Sequence, residues 1–438
     1  GFRMRKLLAI VLIIAMSISL LSACNKAKPV DEPTPTPDAS TPKTEEPQQK
    51  TVTLRTVSMF GGTDPSAADY QQLIANFMKE NSNIVINDES ATADETWKAR
   101  VTTDFSSGND PDVVFYFTGA DAVQLIETGK VVSIEEIREV YPDYASNITE
   151  AAMSFMKEFD GKHYAVPIRG FYEGLFCNTD LFEQYGLELP TDWEKLETAI
   201  KKFKEVGIVP IAASFSDVPH YWIEHFIYAV GGYEDHKVNP KDTYPESWAE
   251  GLRWFKKFKD MGAFPVDVNA TKNDITTNMF YDKQAAMILD GSWIVGGIKD
   301  PDTVTVLPVP CAPGGKKDPS DIIGGFSTGF YISRKAWDDP DKRDAAVKFV
   351  QYMTSNEAIS LFAKVAGAPA ADVPSPEGMT AVMEAGIKMG GQAKNIDMPI
   401  DSRLSKEAWT FLVSSIGSIA DGQVTPEEVL QEVVNKNK

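Results

Sequence analysis

The chain has 438 residues, of which 63 are acidic and 43 are basic, so its formal net charge is −20. A negative excess of this size argues against binding to nucleic acid or to an anionic membrane surface, because both need basic patches. The three cysteines, Cys24, Cys177 and Cys311, are too few for a disulfide-stapled fold or a cysteine-based metal cluster.

Residues 1–23 have the pattern of a secretory signal peptide. Basic residues at positions 3, 5 and 6 precede an apolar run over residues 7–20, which is shorter than the roughly 20 residues of a membrane span. The sequence Leu-Ser-Ala-Cys at residues 21–24 is similar to the lipobox of bacterial lipoproteins. We therefore predict that Cys24 is lipidated, in preference to an ordinary signal peptide followed by an incidental cysteine.

Residues 25–50 contain six prolines and no aromatic residue. Such a segment buries too little apolar surface to offset its ordering entropy, which predicts a disordered tether over residues 24–50. The expected location is the extracellular face of the cell membrane, with lipid as the sole membrane contact.

Export permits a disulfide between Cys177 and Cys311, but two separate buried thiols are the favoured interpretation.

Residues 51–438 exceed the usual size of one hydrophobic core, so two lobes are expected. The first part alternates strands with helices, which predicts an α/β domain with a mostly parallel sheet. Its apolar spacing gives strands at 51–58, 83–87 and 113–117, and helices around 70–78, 97–105 and 121–128.

The second part mixes short strands with longer amphipathic helices. The predicted strands are 164–167, 174–178, 209–214, 285–290, 303–310 and 324–333. The predicted helices are 192–206, 220–230, 245–261, 340–355, 356–365, 406–420 and 426–434.

Three blocks resemble one known family in the order in which that family carries them. They are "DGKHYAVPIRGFYEGLFCNTDLFEQYGLELPTDWEKL" (160–196), "AAMILDGSW" (285–293) and "GGFSTGFYISRKAWDDPDKRDAAVKFVQYMTSNEAISLFAKVAGAPA" (324–370). They resemble the extracellular solute-binding proteins of ABC importers, in the carbohydrate-binding branch related to maltose-binding protein. Two departures are visible. Cys177 and Thr179 replace a tyrosine and a lysine of the family pattern, and "FYFTGAD" (115–121) lacks the acidic and basic sugar-gripping pair of maltose-specific members.

The resemblance implies a two-lobed α/β fold of the type II periplasmic-binding-protein kind, with a hinge and a ligand cleft between the lobes. It places one lobe at 51–168 plus 311–366 and the other at 169–310 plus 367–438, with crossings near 167–174, 307–310 and 367–371. The implied function is to bind an extracellular mono- or oligosaccharide and deliver it to the permease subunits of an ABC importer. The chain is expected to be a monomer without a cofactor or metal.

Ligands of open α/β sheets lie beyond the carboxyl ends of strands, and a sugar suits flat aromatic rings beside polar groups. Trp293 is the strongest candidate, because the family's equivalent tryptophan stacks on sugar, although an interlobe core position is the alternative. Arg169 either binds ligand or pairs with Glu173, and Asp64 either accepts a hydroxyl or caps its helix. The full set of candidate ligand-binding residues is Phe60, Asp64, Tyr116, Asp121, Arg169, Tyr172, Glu173, His220, Tyr221, Trp222, Asp290, Trp293 and Phe326.

Two other classes of function remain open. One is a binding protein for another solute, such as an anionic sugar, a polyamine, an iron complex or a peptide. The other, less favoured, is a tethered carbohydrate-active enzyme, since any chain this acidic can supply a pair of carboxylates. The sequence has no HExxH, GxSxG or Walker motif, and its four histidines are not grouped as metal ligands. The chain is therefore interpreted as a binding protein rather than an enzyme.

Overall fold

The structure is a computed structural model that describes residues 49–364 and 367–438. Cys24, the predicted signal peptide and almost all of the predicted tether lie outside the described residues. Within the described ranges, no helix is both long enough and apolar enough to cross a membrane.

The strands of the described chain, in order, are β1 (Val52–Val57), β2 (Ile84–Asp88), β3 (Val113–Phe117), β4 (Phe171–Asn178), β5 (Val209–Ala212), β6 (Ala285–Gly291), β7 (Val304–Leu307), β8 (Ile322–Gly325), β9 (Thr328–Ile332) and β10 (Ile396–Asp397).

The α-helices are α1 (Ala67–Glu80), α2 (Glu95–Ser106), α3 (Val123–Glu127), α4 (Ile134–Val140), α5 (Glu150–Ser154), α6 (Thr179–Gln184), α7 (Trp193–Glu205), α8 (His220–His236), α9 (Glu246–Met261), α10 (Asn273–Tyr281), α11 (Arg334–Asp338), α12 (Pro340–Met353), α13 (Asn356–Ala363), α14 (Ala381–Gln392), α15 (Lys406–Ala420) and α16 (Pro426–Lys436). Short 3₁₀ turns cover Gly119–Asp121, Ser292–Gly297, Pro301–Thr303 and Ile400–Ser402.

The strands form two sheets. The first has the order β2-β1-β3-β9, in which β1 runs parallel to β2 and β3, and β9 runs antiparallel to β3. The second has the order β10-β8-β4-β6-β5, and β7 also pairs with β4. Its central strand β4 is antiparallel to β6, β7 and β8. The predicted first sheet is confirmed, including its parallel strands.

Each sheet has its own hydrophobic core. The first core joins β1 and β3 to α1 and α12 through residues such as Leu54, Phe77 and Val350. The second core lies between one face of the second sheet and the helices α7, α8, α9, α15 and α16. A third, smaller cluster lies between the second sheet and α14, where Tyr172 and Val382 are buried. Two separate cores explain why a chain of this length folds as two lobes.

Local sequence signals account for several helix starts. The Asp192 carboxylate accepts a hydrogen bond from the backbone N–H of Lys195 at 2.8 Å and so caps α7. The apolar residues Trp193, Leu196, Ile200 and Phe203 then recur on its buried face. Helix α8 continues beyond the predicted end at residue 230, across a kink at Gly232.

The lobes are joined at three chain segments that touch one another. The Gly170 N–H donates to the Ala368 carbonyl at 2.7 Å, and the Ala370 N–H donates to the Ile168 carbonyl at 3.0 Å. The third passage lies at residues 325–328, between β8, which pairs with β4 in the second sheet, and β9, which pairs with β3 in the first.

The cleft between the two sheets as a candidate ligand site

A cavity of about 460 Å³ opens between the two sheets, which is within the usual size range of small-molecule sites. Its walls come from both lobes and from the connecting segments. The lining residues are Asp64, Pro65, Phe117, Arg169, Gly170, Phe171, Glu173, His220, Tyr221, Glu224, Ser292, Trp293, Gly296, Ser327, Thr328, Pro399 and Asp401.

The Trp293 side chain stands at the wall of this cavity with 52% of its surface exposed. It follows the end of β6, where the chain turns into the 3₁₀ segment Ser292–Gly297. Its ring lies so close to Gly291 that a Cβ there would be 2.2 Å from the indole. The Trp293 Nε1–H donates to Asp290 Oδ1 at 2.7 Å. The indole therefore presents a free face to the cleft while its edge is held.

Two further rings extend this aromatic wall. The centroid of Phe171 lies 6.1 Å from that of Trp293, and the centroid of Tyr221 lies 6.0 Å from it. Both rings are partly exposed and line the cavity. Phe117, at the end of β3, lines it from the first lobe. Aromatic faces of this kind stack on flat apolar surfaces.

Three carboxyl groups from different elements face the same space. Glu173 lies on β4 and Glu224 on α8, and each is only 1% exposed, whereas Asp401 lies in the Ile400–Ser402 turn and reaches solvent. Burial raises the pKa of Glu173 well above its ordinary value, and the charges of Asp401 and Asp290 add to the shift. Burial likewise raises the pKa of Glu224, with contributions from Glu173 and Asp401.

The histidines beside these carboxyls are neutral bases at physiological pH. Burial lowers the pKa of His220 to about 4. Burial also lowers the pKa of His225 well below its ordinary value, and its Nε2 lies 3.6 Å from Glu173 Oε1. Neither imidazole therefore supplies a positive charge to the wall.

Arg169 is the lining residue that carries a positive charge, and it is directed toward the first lobe. Its Nη1 donates to Ser66 Oγ at 2.8 Å and to the Phe362 carbonyl at 3.1 Å, and its guanidinium lies 5.7 Å from the Phe60 ring. The considered pairing with Glu173 is absent from the described ion pairs, because these contacts hold the guanidinium at the other wall.

Asp64 is a lining residue of the first lobe, and its carboxylate does not cap α1, whose N-cap residue is Ser66. The Asp64 Oδ1 accepts a hydrogen bond from the backbone N–H of Ser66 at 2.8 Å, immediately before α1. Six of the sequence-predicted residues therefore line the cleft: Asp64, Arg169, Glu173, His220, Tyr221 and Trp293.

The other candidates lie elsewhere, which corrects their expected placement at the cleft wall. Phe60 is 1% exposed among Tyr70, Phe115 and Phe362, and Phe326 packs near Phe155. Asp121 is at the surface, where it pairs with Lys98 at 3.2 Å. Asp290 is buried behind the wall and holds Trp293. Tyr116, Tyr172 and Trp222 are buried in the cores, 2%, 5% and 2% exposed.

Several of these differences follow from side-chain direction. Successive residues of a strand point to opposite faces, so Phe117 lines the cleft where Tyr116 packs against Trp97. In the same way Phe171 and Glu173 face the cleft while Tyr172, between them, faces the third core.

On helix α8, the position of a residue around the helix axis decides whether its side chain faces the cleft or the core. His220, Tyr221 and Glu224 share its cleft face, and Trp222 points into the second core. Glu224 was missed by sequence reasoning, although its spacing of four from His220 is a usable signal. No sequence pattern points to Pro399 and Asp401, because a tertiary contact brings their segment to the cleft. In that contact Glu224 Oε1 accepts a hydrogen bond from the Ile400 N–H.

Comparison with known proteins identifies the family. Residues 62–359 match the model of the bacterial extracellular solute-binding protein family. The chain belongs to this family. Its relatives include a multiple sugar-binding protein from Streptococcus mutans, which is 23% identical in an alignment of 373 residues that covers 82% of this chain and 81% of that protein. The family expected from the three sequence blocks is confirmed.

Solved structures share the fold of this solute-binding chain. A chitin oligosaccharide binding protein has a TM-score of 0.73 at 22% identity and covers 88% of this chain and 98% of its own. The apo form of RafE from Streptococcus pneumoniae has a TM-score of 0.72 at 18% identity, covering 89% and 98%. The expected two-lobed α/β fold of the type II binding-protein kind is confirmed. The family and relatives named here are binding proteins.

Proposed function

We propose that this solute-binding protein captures a carbohydrate in the cleft and delivers it to the permease of an ABC importer. The observation that carries the proposal is the half-exposed Trp293 indole, which is held by Asp290 and stands beside carboxyl groups in a cavity between two lobes. The name of the Streptococcus mutans relative, a multiple sugar-binding protein, supports the same ligand class.

The chemistry of the cleft suits a pyranose. Such a ring has an apolar face made of C–H groups, which packs on an indole, and a rim of hydroxyls, which pairs with carboxyl and hydroxyl groups. Trp293 and Phe171 supply the apolar surface, and Glu173, Asp401 and Ser327 supply polar partners on both sides of the cleft.

The charge of the cleft disfavours an anionic sugar. Four carboxyl groups line the cavity, on Asp64, Glu173, Glu224 and Asp401, whereas Arg169 is engaged by Ser66 and by the Phe362 carbonyl. A uronate would bring a further carboxylate into this group of acidic side chains, and carboxylates at close range destabilise one another's charged forms. A neutral or cationic solute is therefore the better match.

We propose that the lobes close on the ligand about the three connecting segments. The first lobe would comprise residues 51–168 and 328–364, and the second 171–325 and 372–438, since this division follows the two sheets and their cores. A ligand that contacts both walls stabilises the closed form through its differential affinity. A monomer in the closed form would then be the species that the permease recognises.

The predicted lipid at Cys24 completes the proposal at the level of the cell. A tether to the outer face of the membrane would keep the ligand-binding lobes near the permease. Stable anchoring takes more than one acyl chain, because a single chain holds a protein only weakly.

A thermal-shift screen of the full-length protein against mono- and oligosaccharides, including uronic acids, tests the proposal. A ligand that binds the native state alone adds about 2.7 kcal/mol to the free energy of unfolding at a hundredfold excess over Kd. The expected result is a shift with one neutral or cationic sugar class that is lost in Trp293→Ala. A shift with a metal complex or peptide but no sugar contradicts it, and release of a cleaved product would favour an enzyme instead.

A further inference from the structure

The second-lobe wall of the cleft holds acidic oxygen atoms that lack protein partners. Glu173 and Glu224 are both 1% exposed and line the cavity. Among the described residues, Glu173 Oε1 and Glu224 Oε2 have no hydrogen-bond partner. A buried polar atom without a partner is costly, so a ligand that brings a donor to this point gains from satisfying it.

The protein supplies no lysine or arginine to these carboxyls within the described ranges. Arg403, which is close to Asp401 in sequence, is instead paired with Asp397. Arg169 donates across the cleft to Ser66. The nearby base is His225, whose Nε2 lies 3.6 Å from Glu173 Oε1 and whose burial keeps the imidazole neutral. The cluster of Glu173, Glu224 and Asp401 is therefore an acidic pocket without its own counter-charge.

We propose that this acidic cluster binds a protonated amine on the sugar, so that the preferred ligand is an amino sugar with a free amino group. The inference rests on the proposed function and narrows its ligand class. An ammonium group has three donors and no acceptor, which matches two buried orphan oxygens and the exposed carboxylate of Asp401. The neighbouring rings of Tyr221 and Trp293 add a face that attracts cations.

The mutual influence of the three carboxyls agrees with this assignment. Burial and the charges of neighbouring carboxyls raise the pKa values of Glu173 and Glu224. Desolvation within the cleft also raises the pKa of Asp401. A hydroxyl donor lowers a carboxyl pKa through its hydrogen bond alone, whereas a bound cation adds a charge that opposes all three shifts at once.

Isothermal titration of the full-length protein at neutral pH tests the inference with matched sugars. Each set contains a free amino sugar, its N-acetyl form and the parent neutral sugar. Three sets are monosaccharides, of the gluco, galacto and manno series, and a fourth consists of β-1,4-linked disaccharides of glucosamine, its N-acetyl form and glucose. Putrescine serves as an amine that is not a sugar. We expect the free amino member of at least one set to bind about tenfold or more tightly than its two partners, as a charge-assisted hydrogen bond allows.

Charge-removing variants assign the preference to the cluster. Glu224→Gln keeps the shape of the side chain, and Asp401→Asn removes a charge at an exposed position. Both are expected to reduce the preference to near unity. Glu250→Gln, on the exposed surface of α9, has the same change in net charge and is expected to leave the preference intact.

Every other outcome contradicts either the amine inference, its assignment to the cluster or carbohydrate binding itself. Equal or tighter binding of a neutral or N-acetyl sugar overturns the amine inference and leaves carbohydrate binding standing. A preference that survives in both cluster variants overturns the assignment to these residues. If putrescine binds and is lost in the variants while no sugar binds, carbohydrate binding fails and the cation site stands; if nothing binds, both fail.

Discussion

Gly291 is the residue on which the orientation of Trp293 depends. A Cβ at position 291 would lie 2.2 Å from two atoms of the indole, although the backbone φ of −111° accepts any residue. We therefore expect Gly291→Ala to displace the ring without unfolding the protein. Affinity for the sugar should fall about three- to tenfold, the range that one aromatic contact supports.

Titration calorimetry measures the affinity of Gly291→Ala, with Gly390→Ala as the control. An added Cβ at position 390 meets no atom within 4 Å, so this control shows the effect of replacing a glycine without displacing a neighbour. Unchanged affinity in Gly291→Ala would show that the indole position does not matter to binding.

Two tryptophans of the second lobe should respond in opposite ways to truncation. Trp293→Ala removes a half-exposed ring and should weaken sugar binding by about 2 kcal/mol or more, some thirtyfold, with little change in unfolding. Trp222→Ala removes a ring that is 2% exposed between Phe226, Phe258 and Phe264, and should lower the free energy of unfolding by about 3–5 kcal/mol. Denaturant unfolding and titration calorimetry on both variants measure the two effects, and a stability loss in Trp293→Ala as large as in Trp222→Ala would refute the division.

Asp290 should give a pH dependence of stability with a definite sign. Burial raises its pKa to about 6, so the folded protein holds this proton where the unfolded chain, at an ordinary pKa near 3.9, has lost it. Its contribution to the free energy of unfolding therefore falls as pH rises, by roughly 3 kcal/mol in total and by about 2 kcal/mol between pH 4 and pH 6.

The difference between wild type and Asp290→Asn isolates this contribution, because the other titrating groups are common to both proteins. Urea unfolding at several pH values measures it. A difference that stays constant over this range, or that rises with pH, would contradict the raised pKa.

At the residue scale, the sequence located the site by segment but not always by side chain. The segments that end β3 and begin β4 are predicted to reach the cleft, and each contributes a residue to the cavity lining. The predicted side chains are Tyr116 and Tyr172, whereas Phe117 and Phe171 line the cavity. A strand end shifted by one residue inverts which side chains face the ligand. The missing information is the position of the sheet relative to its neighbour, which local patterns do not contain.

At the scale of elements, the connecting segments are held by close backbone contacts. A Cβ on Gly367 would lie 2.0 Å from the Gly170 carbonyl oxygen, and Gly367 has a φ of +94°. Gly378 also has a positive φ, +75°, but an added Cβ there meets nothing within 4 Å. Gly367→Ala should therefore be less stable than Gly378→Ala, which bears the conformational cost of about 1–2 kcal/mol alone.

Sugar affinity should also fall in Gly367→Ala, because the two hinge segments are forced apart. Thermal unfolding and titration of the two variants side by side measure both effects. Equal behaviour of the pair would show that the contact with Gly170 is unimportant.

The elements that the sequence predicted well are those with strong periodicity and clear caps, such as α7, α9, α15 and the strands β3 and β6. Helices α4, α5, α10 and α14 were not predicted. Helix α10 is rich in Asn and Thr, and α14 carries three glycines, all poor helix formers, so tertiary packing decides their structure. The predicted strand at 324–333 is two strands, because the chain changes sheets between β8 and β9.

At the scale of the whole molecule, the proposed function requires that ligand binding closes the two lobes. Small-angle scattering of the full-length protein should show a smaller radius of gyration when the sugar that gives the largest thermal shift is saturating. The same sugar concentration should leave Trp293→Ala unchanged. A ligand of micromolar affinity has roughly 8 kcal/mol of binding free energy, enough to shift a two-state hinge. Tight binding without any change in scattering would mean that the lobes do not move.

A crystal structure with that sugar tests the central claim most directly. We predict a sugar ring packed against the Trp293 indole in the cavity between the sheets, with polar groups of the sugar within hydrogen-bond distance of Glu173, Glu224 or Asp401. Density for the sugar at any other place, or a cleft that stays empty at saturating concentration, would contradict it.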